Sequence, residues 1–452
     1  MKRDDDVTKA ADATDATDAI NMTDAADMIS MTTAPAPEVC DDDAAMVSAE
    51  HAQQLIEQSV SPLAQVESVA VRAALGRVAA ADIASRARVP NHTNSAMDGY
   101  AFAAPTDDDA ARGERELRVV GVSMAGRPFD REVGAGECVR IMTGAVMPAG
   151  ADRVTPQERV ERSGDNIVVR DAERADANVR RAGEDFEVGA VAIRAGCRLR
   201  PSHLGLAASL GLCELPVRRR ARVALFSNGD ELRPLGDALR VGELHDSNRY
   251  TLHGLLAESG AEMVDLGIVP DDADAVADAI ERGAECADVV ISSAGASVGD
   301  ADYIGQTLAR IGEVAFSKVA IKPGRPLTFA RINRRGRDSL FFGLPGNPVS
   351  VMVTFEIFVK PALRRLAGET APTPLRLSVK SASKLRKRPG RAEYQRGVLT
   401  ADADGATVRS TGEQGSGILR SMGEANCFII LPTDAGDVRA GEMVAVQPFA
   451  QT

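Results

Sequence analysis

ARVALFSNGDEL, residues 221–232, decides the fold. RVALFS (222–227) reads as a buried strand, and its exit carries Asn, Gly and Asp, the residues of a turn. Moving toward the C-terminus, SNRYTLHGLLAESG (247–260) reads as a helix, MVDLGIV (263–269) as a strand and DADAVADAIERG (272–283) as a helix. DVVISS (288–293) is then a strand and DYIGQTLARIG (302–312) a helix. VAIKP, LTFARI and SLFFGLPG follow as strands, and NPVSVMVTFEIFVKPALRRLAG (347–368) closes as a long helix. Strands and helices alternating through short loops predict a doubly wound α/β domain over 221–368.

On either side the pattern changes. From Val89 to about Val217, LRVVGVS, ECVRIM, NIVVRD and VAIRAG are short β-type runs split by Gly and Pro, which predicts small, interleaved β-rich domains. Residues 65–83 read as helical and then extended, and Ser48 reads as the N-cap of a helix that begins SAEHAQQLI. These features group residues 47–220 into one N-terminal region. After Pro372 the chain turns all-β (LRLSVK, EYQRGVLT, CFIILP, MVAVQPF), so 373–452 is expected to form a small barrel or sandwich. Residues 1–46, rich in Asp, Ala, Thr and Met, lack apolar periodicity and read as a disordered acidic tail. The expected class is therefore multi-domain α/β.

Composition excludes several functions. A net charge of -12 argues against a general nucleic-acid binder, so any basic site must be local. The six cysteines are scattered without a C-x-x-C, fitting neither a disulfide framework nor a zinc site. The five histidines include no HExxH pattern. No apolar run reaches the roughly 18 residues of a membrane span, and the N-terminus is unlike a signal peptide. The cytoplasm is the expected location.

In open α/β sheets, ligands bind beyond the carboxyl ends of the strands. Four strand exits carry Gly or Pro with polar groups: SNGDEL (227–232), SAGASVGDADY (293–303), KPGRP (322–326) and GLPGNPVS (343–350). In the last, Asn347 occupies a helix N-cap position and Pro348 the first helical one. Gly343 and Gly346 permit close backbone approach, and free amides at that helix start favour an anion. An ordinary capped helix after a tight turn has the same spacing. In SAGASVGDADY, Ser297 is a hydrogen-bond donor, Asp300 suits a helix cap, and Asp302 suits Mg²⁺; both acids equally suit a helix N-terminus. KPGRP places Lys322 and Arg325 at one turn, with Lys318 four residues earlier. Solvated loop charges would look the same. Neither a Ser/His/Asp triad nor a Walker-type phosphate loop is evident. Phosphate positioning with a divalent metal is the first expectation.

NSAMDGYA (94–101), IMTGA (141–145), RAGEDF (181–186), SNGDEL, SVGDADY, KPGRP and GLPGNPVS resemble, in this order, the motifs of the MoeA family. These are the molybdopterin molybdenumtransferases, which include the C-terminal domain of gephyrin. The resemblance runs over about residues 48–450. It implies a homodimer and an α/β domain similar to the molybdopterin adenylyltransferase fold. It also implies a reaction in which molybdate and adenylylated molybdopterin give molybdenum cofactor and AMP, with Mg²⁺ or a similar ion. The implied cleft lies between the α/β domain of one subunit and the NSAMDGYA region of the other.

Carried onto this sequence, the resemblance makes Asp98, Thr143 and Asp185 the groups from the N-terminal half, with Glu231 joining them as catalytic residues. Glu231, Asp271, Ser297, Gly299 and Asp302 form the nucleotide-phosphate and metal side. Lys318, Lys322, Arg325, Pro345, Pro348, Ser350, Arg396 and Ser416 form the substrate side, where the cations face the oxyanion. Metal-holding acids are expected away from that oxyanion, which they would repel. Contacts with the adenylyltransferase and with molybdoenzymes or their chaperones are further implied; nucleic acid and membrane are not. The sequence departs from the family's usual pattern at Thr93, Asn228, Ala294, Ala296 and Arg325, and none of these removes a proposed catalytic group. A non-catalytic scaffold or binding protein of the same fold is the alternative, weighed against by the retained acids and cations. A related adenylyltransferase or CinA-type enzyme is weighed against by NSAMDGYA and the C-terminal β region.

Overall fold

The strands that begin at Arg222 build a six-stranded sheet in a computed structural model that describes residues 46–103, 112–171, 174–294, 303–370 and 374–449. The sheet order is Glu262–Val269, Arg222–Asn228, Val289–Ser293, Arg337–Leu344, Pro326–Arg334, Gly312–Lys318. The first four are parallel, and Pro326–Arg334 runs antiparallel to both its neighbours. Successive side chains serve opposite faces, so a strand covered on both sides must be apolar throughout. Arg222–Asn228 does this: Ala224 and Phe226 join a core under the helices Ala273–Cys286 and Tyr303–Ile311, while Val223 and Leu225 join the opposite core. That opposite core takes Leu252 and Leu256 from the helix Ser247–Glu258 and Val349, Val353 and Phe358 from the C-terminal helix.

VAIKP was expected as a strand of this domain. The edge strand is instead Gly312–Lys318, just before it, and Ile321–Lys322 pairs in parallel with Ala392 and Glu393 of the C-terminal region. Local composition suits either partner; only packing selects one. The helix Ala49–Ser59, grouped with the N-terminal region in the sequence, buries Ala49, Ala52 and Ile56 in the α/β core. Its N-cap is Ser48, whose Oγ accepts the His51 N–H at 3.1 Å.

The closing helix is one rod with a defect, running Pro348–Thr354, a π-turn at Phe355–Val359, then Lys360–Leu366. Pro361 has no N–H for the carbonyl of Ile357, four residues back, so a normal ladder cannot continue there. Gln53 Nε2 donates to that carbonyl at 3.2 Å. The first helix thus supplies the bond that the proline removes.

Residues 66–70 are not helical. Val66–Ala70 is a strand paired antiparallel with Glu214–Arg218, whose partner supplies the ladder that local propensity leaves open. Together with Ile83–Ala84, Val191–Ile193 and the helix Pro201–Ser209, it encloses a small core of Ala74, Leu199, Leu215 and Val217. The intervening chain forms a second, six-stranded sheet with Glu137–Ile141 and Arg112–Ser123 at its centre and Gly99–Phe102 next to Glu137–Ile141. The N-terminal β units are therefore interleaved.

In the C-terminal region Leu377–Ser381, Ala392–Asp402, Gly405–Ser410, Cys427–Leu431 and Met443–Pro448 close into a five-stranded barrel. Closure depends on the long strand Ala392–Asp402. Its first half pairs with Cys427–Leu431 and its second half with Gly405–Ser410. Gly397 sits where the two pairings meet, and a Cβ there would lie 2.8 Å from Ile429 and 2.9 Å from Val408. Only glycine fits that corner.

Candidate functional site

At the carboxyl edge of the α/β sheet the strand exits surround a cavity of about 860 Å³. Glu231 enters from the loop after Arg222–Asn228, Ser293 and Ala294 from the end of the next strand, and Lys322 and Arg325 from the KPGRP turn. Pro345, Gly346, Pro348 and Ser350 line it from GLPGNPVS, and Gln414, Gly415 and Ser416 close it from the barrel. KPGRP reaches this edge because it precedes the one reversed strand, whose start lies where its neighbours end. Ala294 has φ of 74° and its Cβ lies 3.3 Å from where a Cβ on Gly346 would be. A glycine at 294 would carry that backbone without strain.

The start of the C-terminal helix differs from its expected role. Pro348 has no N–H, and Val349 donates its own to the carbonyl of Ser416 at 3.1 Å. Asn347 occupies the N-cap position without a side-chain capping bond. The Val349 amide thus fastens the barrel to the α/β domain and is not free for an anion. Ser350 remains at the cavity wall, 3% exposed.

Two other sequence assignments change in kind. Arg396 was expected to contact the oxyanion, yet it is fully buried and does not line the cavity. Its Nε donates to Ser421 Oγ at 3.0 Å and its Nη2 to the Gly415 carbonyl at 2.9 Å, while its amide donates to Gln414 Oε1 at 2.8 Å. Burial pulls the guanidinium down to about 10. Arg396 therefore holds the Gln414–Ser416 loop from behind. An acid also stands on the cationic side, where none was expected. Lys322 Nζ lies 3.1 Å from Glu393 Oε1, and Glu393, with its side chain 5% exposed, also accepts from Gln395 Nε2 at 2.9 Å. The parallel pairing of Lys322 with Glu393 brings them together.

The remaining assignments are dispersed. Lys318 ends the edge strand, and its carbonyl accepts the Val47 N–H at 3.1 Å; it does not line the cavity. Asp271 is exposed on a loop that touches the Glu231 loop, its amide donating to Asp230 Oδ1 at 3.1 Å. Ser297, Gly299 and Asp302 lie outside the described residues, as do residues 1–45 of the acidic tail. Asp98 and Thr143 are joined in the N-terminal sheet region: the Thr143 amide and hydroxyl donate to Asp98 Oδ1 at 2.7 and 2.8 Å. These bonds, the amide's first, hold the Asp98 carboxyl below its ordinary value. Asp185 lines a separate cavity of about 440 Å³ with Asn94, Arg180 and Glu184. Within one chain, none of these three lines the larger cavity.

Sequence reasoning missed Asp246, Asn248, Arg391 and Gln414, all of which line the cavity. Asp246 alone left a signal, as a helix-capping residue type directly before SNRYTLHGLL.

All three regions of the chain match family models. Residues 47–211 match the MoeA N-terminal region (domain I and II), 224–365 a probable molybdopterin binding domain, and 378–449 the MoeA C-terminal region (domain IV). A molybdopterin molybdenumtransferase of Haemophilus influenzae is 39% identical over 399 residues, covering 88% of this chain and 96% of that one. Molybdopterin molybdenumtransferase 2 of Mycobacterium tuberculosis is 35% identical over 387 residues, covering 84% and 94%. The crystal structure of a molybdopterin biosynthesis moeA protein from Pyrococcus horikoshii superposes with a TM-score of 0.78 at 28% identity, over 89% of this chain and 100% of that one.

Proposed function

The chain belongs to the MoeA family and is a molybdopterin molybdenumtransferase of molybdenum cofactor biosynthesis, and on that premise we propose that it inserts molybdate into adenylylated molybdopterin with release of AMP. The observation that carries this reading is the single cavity in which Lys322, Arg325 and Ser350 share a wall system with Glu231. Molybdate is a dianion and needs cations and hydroxyl donors. Lys322 and Arg325 supply the charge, and Ser350 a hydroxyl. As the adenylyl-phosphate bond breaks, the same cations offset charge on the departing phosphate. Arg396 and Glu393 act from behind, holding the Ser416 loop and Lys322 in place.

Magnesium is the ion we propose as cofactor. Among the described residues no group of three or more His, Cys, Asp or Glu side chains stands ready for a metal. Mg²⁺ commonly takes only one or two carboxylates and completes its shell with substrate phosphates and water. Glu231 and Asp271, on loops that touch through Asp230, fit that partial role. When bound, the ion would neutralise phosphoryl oxygen charge. We further propose that the enzyme works as a homodimer, in which a second subunit presents Asp98, Thr143 and Asp185 to the larger cavity that they do not line within one chain. A cytoplasmic location fits the acidic composition and the lack, among the described residues, of a helix long and apolar enough to cross a membrane.

The test is direct: purified protein with adenylylated molybdopterin, molybdate and Mg²⁺, reading AMP and active cofactor. Formation of both supports the proposal. AMP release that ignores molybdate and yields no active cofactor overturns it.

A further inference from the structure

Asp246 ends the loop that leads into the helix Ser247–Glu258 and caps that helix, its Oδ1 accepting the Arg249 N–H at 3.2 Å. The side chain is 3% exposed and lines the large cavity, yet its Oδ2 has no hydrogen-bonding partner among the described residues. Two positions on, Asn248 repeats the arrangement. Its Nδ2 donates to the Gly346 carbonyl at 2.7 Å, which fixes the amide orientation and leaves a buried Oδ1 without a partner on the same cavity wall. Buried polar atoms are nearly always paired, and an unpaired one is costly. Two unpaired acceptors on one turn, lining one cavity, therefore mark a place built for a donor.

The cavity is divided by charge. Lys322 and Arg325 suit the anionic part of a ligand. The atoms of Asp246 and Asn248 left unpaired are both acceptors, which suit N–H or O–H groups. A substrate joining an oxyanion or phosphate to a hydrogen-bond-donating organic body would use both sides. Rotation about the soft terminal torsion of Asp246 presents its idle oxygen to such a donor, while Asn248 keeps its Nδ2 on the Gly346 carbonyl and needs the donor to approach its Oδ1.

We propose that Asp246 and Asn248 form an acceptor wall that binds the N–H or O–H donors of the organic part of the substrate. The amino and ring N–H groups of a pterin, or the hydroxyls of the ribose in AMP, are the two sources of this chemistry. The inference rests on the function proposed above and specifies how that site reads its ligand.

The test uses the full chain and its Asp246→Asn and Asp246→Ser variants, titrated calorimetrically with molybdopterin, AMP and molybdate in EDTA without oxygen. Asn and Ser both cap helices well, so the helix start survives. Asn presents either a neutral oxygen or an N–H where the carboxylate oxygen stood, and Ser removes that oxygen. Both are expected to weaken molybdopterin or AMP by about tenfold or more, and the ligand that suffers identifies the source. Molybdate binding is expected to stay unchanged. The unfolding midpoint of the unliganded protein should hold or rise, because a buried charge with an idle oxygen has gone. A purely structural Asp246 would lower that midpoint and weaken all three ligands alike, overturning the inference. Unchanged affinity for both organic ligands overturns it too, as does a loss that appears only when Mg²⁺ replaces EDTA. Parent protein that binds neither organic ligand overturns the proposed function instead.

Discussion

Lys322 Nζ stands 3.1 Å from Glu393 Oε1, so a cavity-lining cation is held by a carboxylate from the barrel. The pair is asymmetric. Lys322 is half exposed and Glu393 is buried, so removing the lysine strands a buried charge, whereas removing the charge at Glu393 strands nothing.

Lys322→Ala is accordingly expected to raise the molybdate concentration for half-maximal rate and to destabilise the fold by about 1–2 kcal/mol. Adding Glu393→Gln should restore most of the stability and none of the molybdate response. Denaturant unfolding and molybdate titration of the two single variants and the double variant check this. Recovery of both properties together would remove Lys322 from the oxyanion site.

Arg396→Lys keeps a positive charge and loses the fork that spans Ser421 and Gly415. The expected outcome is a stability loss of roughly 2–3 kcal/mol and faster amide hydrogen exchange at Gln414–Ser416. A variant with normal protection there and only weaker molybdate binding would return Arg396 to direct contact with the anion.

Asp98 has its carboxyl pKa held down by the Thr143 amide first and the Thr143 hydroxyl second. A depressed folded-state value adds stability above the unfolded pKa, and that stability is lost as pH falls through the folded one. Thr143→Val removes only the hydroxyl. The Asp98 midpoint, followed by carboxyl NMR, should rise in the variant while staying below an ordinary aspartate, since the amide bond persists. At neutral pH the charge of Asp98 should not change.

Gln53→Leu leaves the Ile357 carbonyl without its donor beside Pro361. A buried acceptor without a partner costs about 1–3 kcal/mol. Denaturant unfolding should show that loss with little change in rate at low temperature, because Gln53 is not among the residues that line the larger cavity.

The sheet was legible in the sequence because its strands are buried on both faces and must be continuously apolar, as Val223 to Phe226 and Leu340 to Phe342 are. The glycine-rich exits were legible because backbone turns restrict residue type. VAIKP was not placed correctly, because Ile321–Lys322 pairs across 71 positions with Ala392 and Glu393, and its own residues carry no record of that partner. Residues 66–70 were misread for the same reason: Glu214–Arg218 completes the ladder.

By itself the sequence determined the α/β sheet, the β-rich character of the regions on either side of it and the turn residues at its strand exits, since local periodicity and turn chemistry are written residue by residue. Tertiary structure alone decided which charged residues meet. It turned Arg396 inward, took the Val349 amide for Ser416, set Glu393 beside Lys322 and left Asp246 Oδ2 without a partner. Hydrogen bonds and ion pairs depend on distances between segments far apart in the chain. Those distances exist only once barrel and sheet have packed.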